Sequence, residues 1–177
     1  MLEIEIKAKI QSKEELEKRL KEQGAIFKEE KYQHDILLDP PNIDFSKTDQ
    51  VLRIRNANGN WKLDYKSPRL DNQTKSRKEF SLKIEDGKQL KEIFGWMKFK
   101  IVGEIEKTRR SFTYKNMTIN LDTVTNLGEF IELEILGNEK EFEEQKKELF
   151  AFAALLDIKE TIKKDYLELL WEKGFFK

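Results

Sequence analysis

Residues 2–10 read LEIEIKAKI: Leu2, Ile4, Ile6, Ala8 and Ile10 alternate with Glu3, Glu5, Lys7 and Lys9. A side-chain period of two puts the apolar set on one face of a strand and the ionic set on the other. The design recurs along the chain. Leu52 and Ile54 oppose Arg53 and Arg55, and after an Asn58-Gly59 hairpin signal Trp61, Leu63 and Tyr65 oppose Lys62, Asp64 and Lys66. Phe80, Leu82 and Ile84 oppose Arg77, Glu79, Ser81 and Lys83. Further on, Met117, Ile119 and Leu121 oppose Thr118, Asn120 and Asp122, and Ile131, Leu133 and Ile135 oppose Phe130, Glu132 and Glu134. Extended segments are also expected over 25–38, with a turn at Asp39-Pro40-Pro41-Asn42, a polar loop over 67–76 and a turn around Asn126-Leu127-Gly128.

A single strand of this kind is usually a sheet element with one face packed and one face wet. Two features of the set say more. The ionic faces are long and hold little Ser, Thr or Gln, and the intervening helices carry apolar stripes that need an apolar sheet face to cover. One helix starts at Ser12, with a Ser12–Glu15 capping pattern, Leu16 and Leu20 as its stripe and Gly24 as its stop. A second spans 86–98, capped by Asp86, with Leu90, Ile93, Phe94 and Met97 inward. A third near 139–156 carries Phe142, Leu149, Phe150 and Ala153, and a short one near 163–172 contains Tyr166. With helices outside, the charged faces point inward. The expected fold is α+β, an antiparallel sheet curled into a barrel with an ionic interior. No linker or low-complexity stretch divides residues 1–177, so one domain is expected.

Composition narrows the chemistry. The chain of 177 residues holds 34 Lys+Arg against 34 Asp+Glu, and this zero balance argues against a general polyanion or nucleic-acid binder. It has no Cys and one His, which excludes thiolate sites and weakens any triad built on imidazole. No apolar run approaches the roughly 18 residues of a membrane span. Met1 leads directly into the first strand with no signal peptide pattern, so a cytoplasmic protein is expected.

An enclosed lumen would collect Arg53, Arg55, Lys62, Lys66, Arg77 and Lys83 with Glu3, Glu5, Glu79, Asp122, Glu132 and Glu134. Enclosed charges are costly unless paired or given a ligand. A mixed lining suits a polyanion that brings cations: Arg and Lys take phosphate oxygens, and carboxylates hold a hard divalent ion that bridges to the same phosphates. Carboxylates without His favour Mg²⁺ or Mn²⁺ over Zn²⁺.

These residues also carry a family likeness. Glu3-Ile4-Glu5-Ile6-Lys7 resembles the ExExK signature of the CYTH domain, the triphosphate tunnel metalloenzymes, which include class IV adenylate cyclases and thiamine triphosphatases. LRIR (Arg53, Arg55), WKLDYKSP (Lys62, Lys66), KSRKEF (Arg77, Glu79), EKTRRSF (Lys107, Arg109), LDTVTNLGEFIELEI (Asp122, Glu132, Glu134) and KKDYLELL follow in family order. The pattern is most similar to the class IV adenylate cyclase, CyaB-like, branch. The resemblance implies an eight-stranded antiparallel barrel forming a tunnel, with homodimers common. It implies Glu3, Glu5, Glu79, Asp122, Glu132 and Glu134 on the metal side, with Glu79 either ligating metal or orienting an Arg. Lys7, Arg53, Arg55, Lys62, Lys66, Arg77, Lys107 and Arg109 would grip the triphosphate, and Lys7, Asp35 and Tyr166 are the candidates for catalysis. Three positions depart from the pattern: Ser67 stands where Gly precedes the proline, Leu37 follows Asp35 where relatives often have Tyr, and Lys164-Asp165 precede Tyr166 where Arg-Ser is usual.

The expected substrate is a small triphosphate: ATP, thiamine triphosphate or tripolyphosphate. Cyclisation of ATP to cyclic AMP and pyrophosphate is weighed against hydrolysis of a terminal phosphate and against a non-catalytic phosphate-binding module. The carboxylate set speaks against the last. Read one at a time, Asp64 is expected to pair with Lys62 or Lys66, His34 to lie at a strand edge or on the surface, Tyr166 to be a core or edge aromatic, and Phe142, Phe150 and Phe152 to serve as core or dimer contacts.

Overall fold

The computed structural model describes residues 2–70, 74–138 and 140–176. Eight strands close into an antiparallel barrel. They are β1 (Leu2–Lys9), β2 (Ile26–Asp39), β3 (Val51–Ala57), β4 (Asn60–Lys66), β5 (Arg77–Ile84), β6 (Lys100–Tyr114), β7 (Met117–Val124) and β8 (Gly128–Gly137). Their order around the wall is β1-β5-β4-β3-β2-β6-β7-β8. Most neighbours pair along much of their length; β1 runs beside β8 from Leu2↔Gly137 to Lys9↔Phe130. The closing pair is the exception, since β1 meets β5 only at Leu2↔Lys78 and Glu3↔Arg77.

The described helices are α1 (Lys13–Glu22), α2 (Phe45–Thr48), α3 (Gly87–Trp96), α4 (Phe142–Leu155) and α5 (Tyr166–Glu172). Ser12 caps α1 by accepting the Glu15 N–H, and the chain leaves α1 through Gly24 at φ +87°, a conformation that suits a residue without Cβ. Asp86 caps α3 by accepting the N–H groups of Lys88 and Gln89.

The outer side of the wall explains the apolar halves of the strands. Leu16 and Leu20 of α1 and Leu149, Phe152 and Ala153 of α4 pack with Ile4, Ile6, Ile119, Leu121, Ile131 and Leu133. Leu90 and Phe94 of α3 pack against Ile36, Leu38 and Ile54. The expected cover is incomplete elsewhere. Phe80 and Leu82 of β5 are 59% and 63% exposed, because no described helix crosses that part of the wall. Ile93 and Met97, expected inward, are exposed as well: α3 turns only Leu90 and Phe94 onto the barrel, and Met97 falls at its C-cap. Among the three phenylalanines read as core or interface, Phe152 is buried, Phe142 packs partly buried against the same core, and Phe150 is 37% exposed.

One end of the barrel is closed by α5. Tyr166, Leu167 and Leu170 pack with Leu37, Ile105, Val124, Leu127 and Phe130. Phe130 shares the parity of Glu132 and Glu134, so at this end the inner face turns from ionic to apolar to receive the helix.

Candidate functional site

The lumen is a cavity of about 780 Å³. Its lining includes Glu3, Glu5, Asp35, Arg53, Arg55, Lys62, Lys66, Glu79, Lys83, Lys107, Arg109, Glu132 and Glu134, together with Tyr166 at the closed end. Strand parity alone brings these residues from seven strands into one space. Of the remaining expected site residues, Asp122 and Lys7 lie buried beneath the lining, and Arg77 is buried at the closed end.

The cations are anchored by carboxylates in register with them. Asp35 receives Arg55 in bidentate fashion, with Nε and NH2 both at 2.6 Å, and Arg53 NH1 at 3.3 Å. Burial would raise the Asp35 carboxyl, but Arg53 and Arg55 reverse that and hold it well below the usual carboxylate range. Asp64 accepts Arg53 through Nε and NH2 at 3.1 and 2.8 Å and the Ser81 hydroxyl at 2.6 Å. The expected pairing with Lys62 or Lys66 is thus corrected. Those lysines sit two residues away on the same strand, whereas Arg53 and Ser81 are the direct cross-strand partners.

On the opposite wall Asp122 accepts Lys107 at 2.7 Å, Arg109 Nε and NH2 at 2.7 and 2.6 Å, and the Tyr166 hydroxyl at 3.0 Å. Arg109 also bonds Glu132. The Tyr166 ring packs edge-on to Phe130 and receives Lys7 and Lys107 on its face, with Nζ atoms 4.1 and 4.9 Å from the centroid. Tyr166 is therefore both a core aromatic and part of the tunnel floor. Burial, and then the charge of Lys75, pushes Lys7 down to about 7; burial, and then Arg109, pushes Lys107 down to about 8. His34 lies on interior strand β2, bonded to Glu104 at 2.8 Å.

Glu3, Glu5 and Glu134 converge: one oxygen from each lies within 4.8 Å of the others. This convergence has a cost. Burial, with Glu3 close by, pushes Glu134 up to about 8, and burial also raises Glu5 although Lys75 partly offsets it. Crowded, desolvated carboxylates of this kind are relieved by a hard cation, and an all-oxygen donor set fits Mg²⁺ or Mn²⁺. The other expected metal-side residues are placed differently. Asp122 and Glu132 are engaged by Lys107 and Arg109, and Glu79 is paired with Lys66. Near the hairpin end, Arg55, Lys62 and Lys83 stand in direct cross-strand register, three like charges in a row.

Two groups of the lining were not singled out from the residue pattern. Lys75 is 7% exposed and binds Glu5 at 3.0 Å and Asp165 at 2.6 Å. Asp165 also binds Arg77 at 3.0 Å. Lys75 belongs to the KSRKEF segment, at i−2 from Arg77, so spacing was its only available signal; Asp165 lies outside any alternating strand and was marked only as a departure from the family pattern.

A closed β-barrel with a paired ionic lumen and a carboxylate cluster defines a tunnel protein. The chain belongs to the CYTH domain family, whose sequence profile matches residues 1–165. Members of that family bind triphosphates such as ATP and use divalent metals. A Methanocaldococcus jannaschii protein named a "putative adenylate cyclase" is 37% identical over 96% of this chain and 98% of its own length. A solved Pyrococcus horikoshii structure aligns with TM-score 0.89 and 35% identity, covering 97% of this chain and 99% of that one. A Hippeastrum structure, described as a "putative adenylyl cyclase" with a dominant triphosphatase activity, shares the fold at TM-score 0.70 and 21% identity, covering 97% and 96% of the two chains. No helix of the described residues is long and apolar enough to cross a membrane.

Proposed function

We propose that the protein is a metal-dependent enzyme acting on a triphosphate, and that its reaction is the cyclisation of ATP to cyclic AMP and pyrophosphate. The observation that carries this reading is the pairing, across one lumen, of the Glu3–Glu5–Glu134 cluster with the Arg55–Lys62–Lys83 row. The carboxylate cluster is crowded and desolvated, and Lys62 and Lys83 extend a row in which Arg55 already has Asp35 as its partner. A phosphate chain carrying a divalent cation suits both.

Arg53 and Arg55 are pre-aimed by Asp35 and Asp64, so they meet phosphate oxygens without losing side-chain freedom at that moment. Lys62 and Lys83 add charge nearer the hairpin end. Glu3, Glu5 and Glu134 would hold Mg²⁺ or Mn²⁺, which when bound there neutralises charge on the phosphoryl oxygens. In cyclisation the ribose 3′-oxygen bonds to the α-phosphorus, the bond from that phosphorus to the bridging oxygen breaks, and pyrophosphate leaves. The hydroxyl proton passes to water, because Lys7 is buried beneath the lining at the closed end, with its ammonium over the Tyr166 ring and bonded to the Lys164 carbonyl. The Methanocaldococcus jannaschii relative's name supports ATP as the substrate. We read residues 1–177 as one domain carrying this site.

A second reading is favoured by the lining itself. Its central charges address phosphates alone, and they suit thiamine triphosphate or tripolyphosphate as well as ATP. Water would then attack the terminal phosphorus. Incubation with ATP, thiamine triphosphate and tripolyphosphate, with Mg²⁺ and Mn²⁺ separately, followed by product identification, decides the matter. Cyclic AMP with pyrophosphate is expected; orthophosphate release transfers the assignment to a triphosphatase. Binding that persists in EDTA with no turnover under either metal makes the protein a phosphate-binding module.

A further inference from the structure

Asp165 immediately precedes α5, at the closed end of the tunnel. Its Oδ1 takes Lys75 Nζ at 2.6 Å, its Oδ2 takes Arg77 NH2 at 3.0 Å, and Arg69 NH2 stands 3.7 Å away. Lys7 is near enough to feel its charge. Four cations therefore converge on one carboxylate. Arg77 is 1% exposed, and its NH1 nitrogen has no hydrogen-bond partner among the described residues. A buried guanidinium nitrogen left without an acceptor is costly. A carboxylate supplies two oxygens, whereas a terminal phosphoryl group supplies three and carries more charge.

Asp122, the corresponding anchor of the opposite wall, makes an instructive contrast. It is wholly enclosed and saturated by Lys107, Arg109 and Tyr166. The Asp165 side chain instead keeps 25% of its surface exposed and lines the cavity. One anion is enclosed; the other faces the cavity.

We propose that Asp165 is an internal stand-in for a phosphoryl group: in the free protein it holds the Lys75–Arg77 position at the closed end, and the ligand's terminal phosphoryl group displaces it. This rests on the triphosphate reading and gives it a direction. The terminal phosphate sits against α5, and the organic part points toward the Asn58–Gly59 hairpin. The tunnel keeps its inner cations neutralised until a stronger anion arrives, and part of the ligand's affinity is spent on the exchange.

Asp165→Asn tests it, since Asn matches Asp in size and also caps helices. Tripolyphosphate binding is measured by titration calorimetry in EDTA for the natural chain, D165N and D165E. D165N is expected to bind about tenfold more tightly, because its built-in competitor carries no charge. D165E, which keeps the charge, should stay near the natural affinity. Thermal unfolding covers the case of a weakened fold: added tripolyphosphate should raise the melting temperature of D165N by more than that of the natural chain. Equal or weaker binding in D165N, or D165E binding as tightly as D165N, overturns the inference while the triphosphate reading stands. Absence of binding in all three, in EDTA and with Mg²⁺ alike, overturns both.

Discussion

On β1, β7 and β8 the outward residues Ile4, Ile119, Leu121, Ile131 and Leu133 are at most 1% exposed, whereas on β5 Phe80 and Leu82 are 59% and 63% exposed. Both walls are written in the same two-residue alternation. What differs is the cover: α1 and α4 lie on one side, and no described helix crosses Phe80 and Leu82 on the other. The inner faces divide differently. Arg77 of β5 is as buried as Lys7 and Asp122, while Lys62 and Lys83 are exposed near the hairpin end. The closed end holds charges in fixed, dehydrated contacts, and the hairpin end offers solvated lysines that meet a ligand at its approach. Anchoring and capture are thus divided between the two ends of one barrel.

Mutation of the backed wall should have the largest consequences. Glu134→Gln or Glu5→Gln is expected to cut metal-dependent turnover roughly 100-fold or more with the fold retained, as read by steady-state rates and circular dichroism. Unchanged rates in both would remove the metal assignment. Ile119→Ala should destabilise the protein by about 2–5 kcal/mol in urea melts, against within about 0.5 kcal/mol for Leu82→Ala. Similar costs at the two positions would mean that β5 is covered in solution. Arg55→Ala should weaken tripolyphosphate binding by about 1.5–3 kcal/mol. Lys62→Ala should weaken it less, with an effect that fades as salt is added; a salt-independent loss would place Lys62 in a dehydrated contact instead.

The smallest effect is a proton count. Lys107, pushed down to about 8, is partly neutral near that pH in the free protein. An anion beside it raises the value again, so tripolyphosphate binding in EDTA near pH 8 should take up a fraction of a proton. Calorimetry in buffers of differing ionisation enthalpy reads this directly, and zero uptake would show the lysine already charged. The sign for stability follows from the same shift. The unfolded chain binds this proton up to about 10.5 and the folded chain only to about 8, so the Lys107 contribution to stability rises as pH climbs between those values.

How much of this was legible beforehand depends on periodicity. Arg53, Arg55, Glu132 and Glu134 could be placed in a lumen because a strand's alternation states which face each residue takes. The partner of Asp64 could not, since pairing depends on register, which one strand's pattern does not contain. The bare face of Phe80 and Leu82 was equally hidden: alternation declares two faces but is silent on what covers either. Lys75 stands just before β5, in step with Arg77, and Asp165 just before α5; neither position names a partner, and only the closed fold brings them to Glu5 and Arg77.

Circumference matters as much as lining. The wall is completed between β1 and β5 by two residue pairs, Leu2↔Lys78 and Glu3↔Arg77, and a backbone bond from the Lys75 N–H to the Glu5 carbonyl. A hoop fastened at so narrow a clasp should part there first, so backbone amides around residue 78 should exchange with deuterium ahead of those along β7 and β8. The strand bearing Glu3 and Glu5 would then swing with β8, to which it stays paired along its whole length, and the Glu3–Glu5–Glu134 cluster would travel with that leaf.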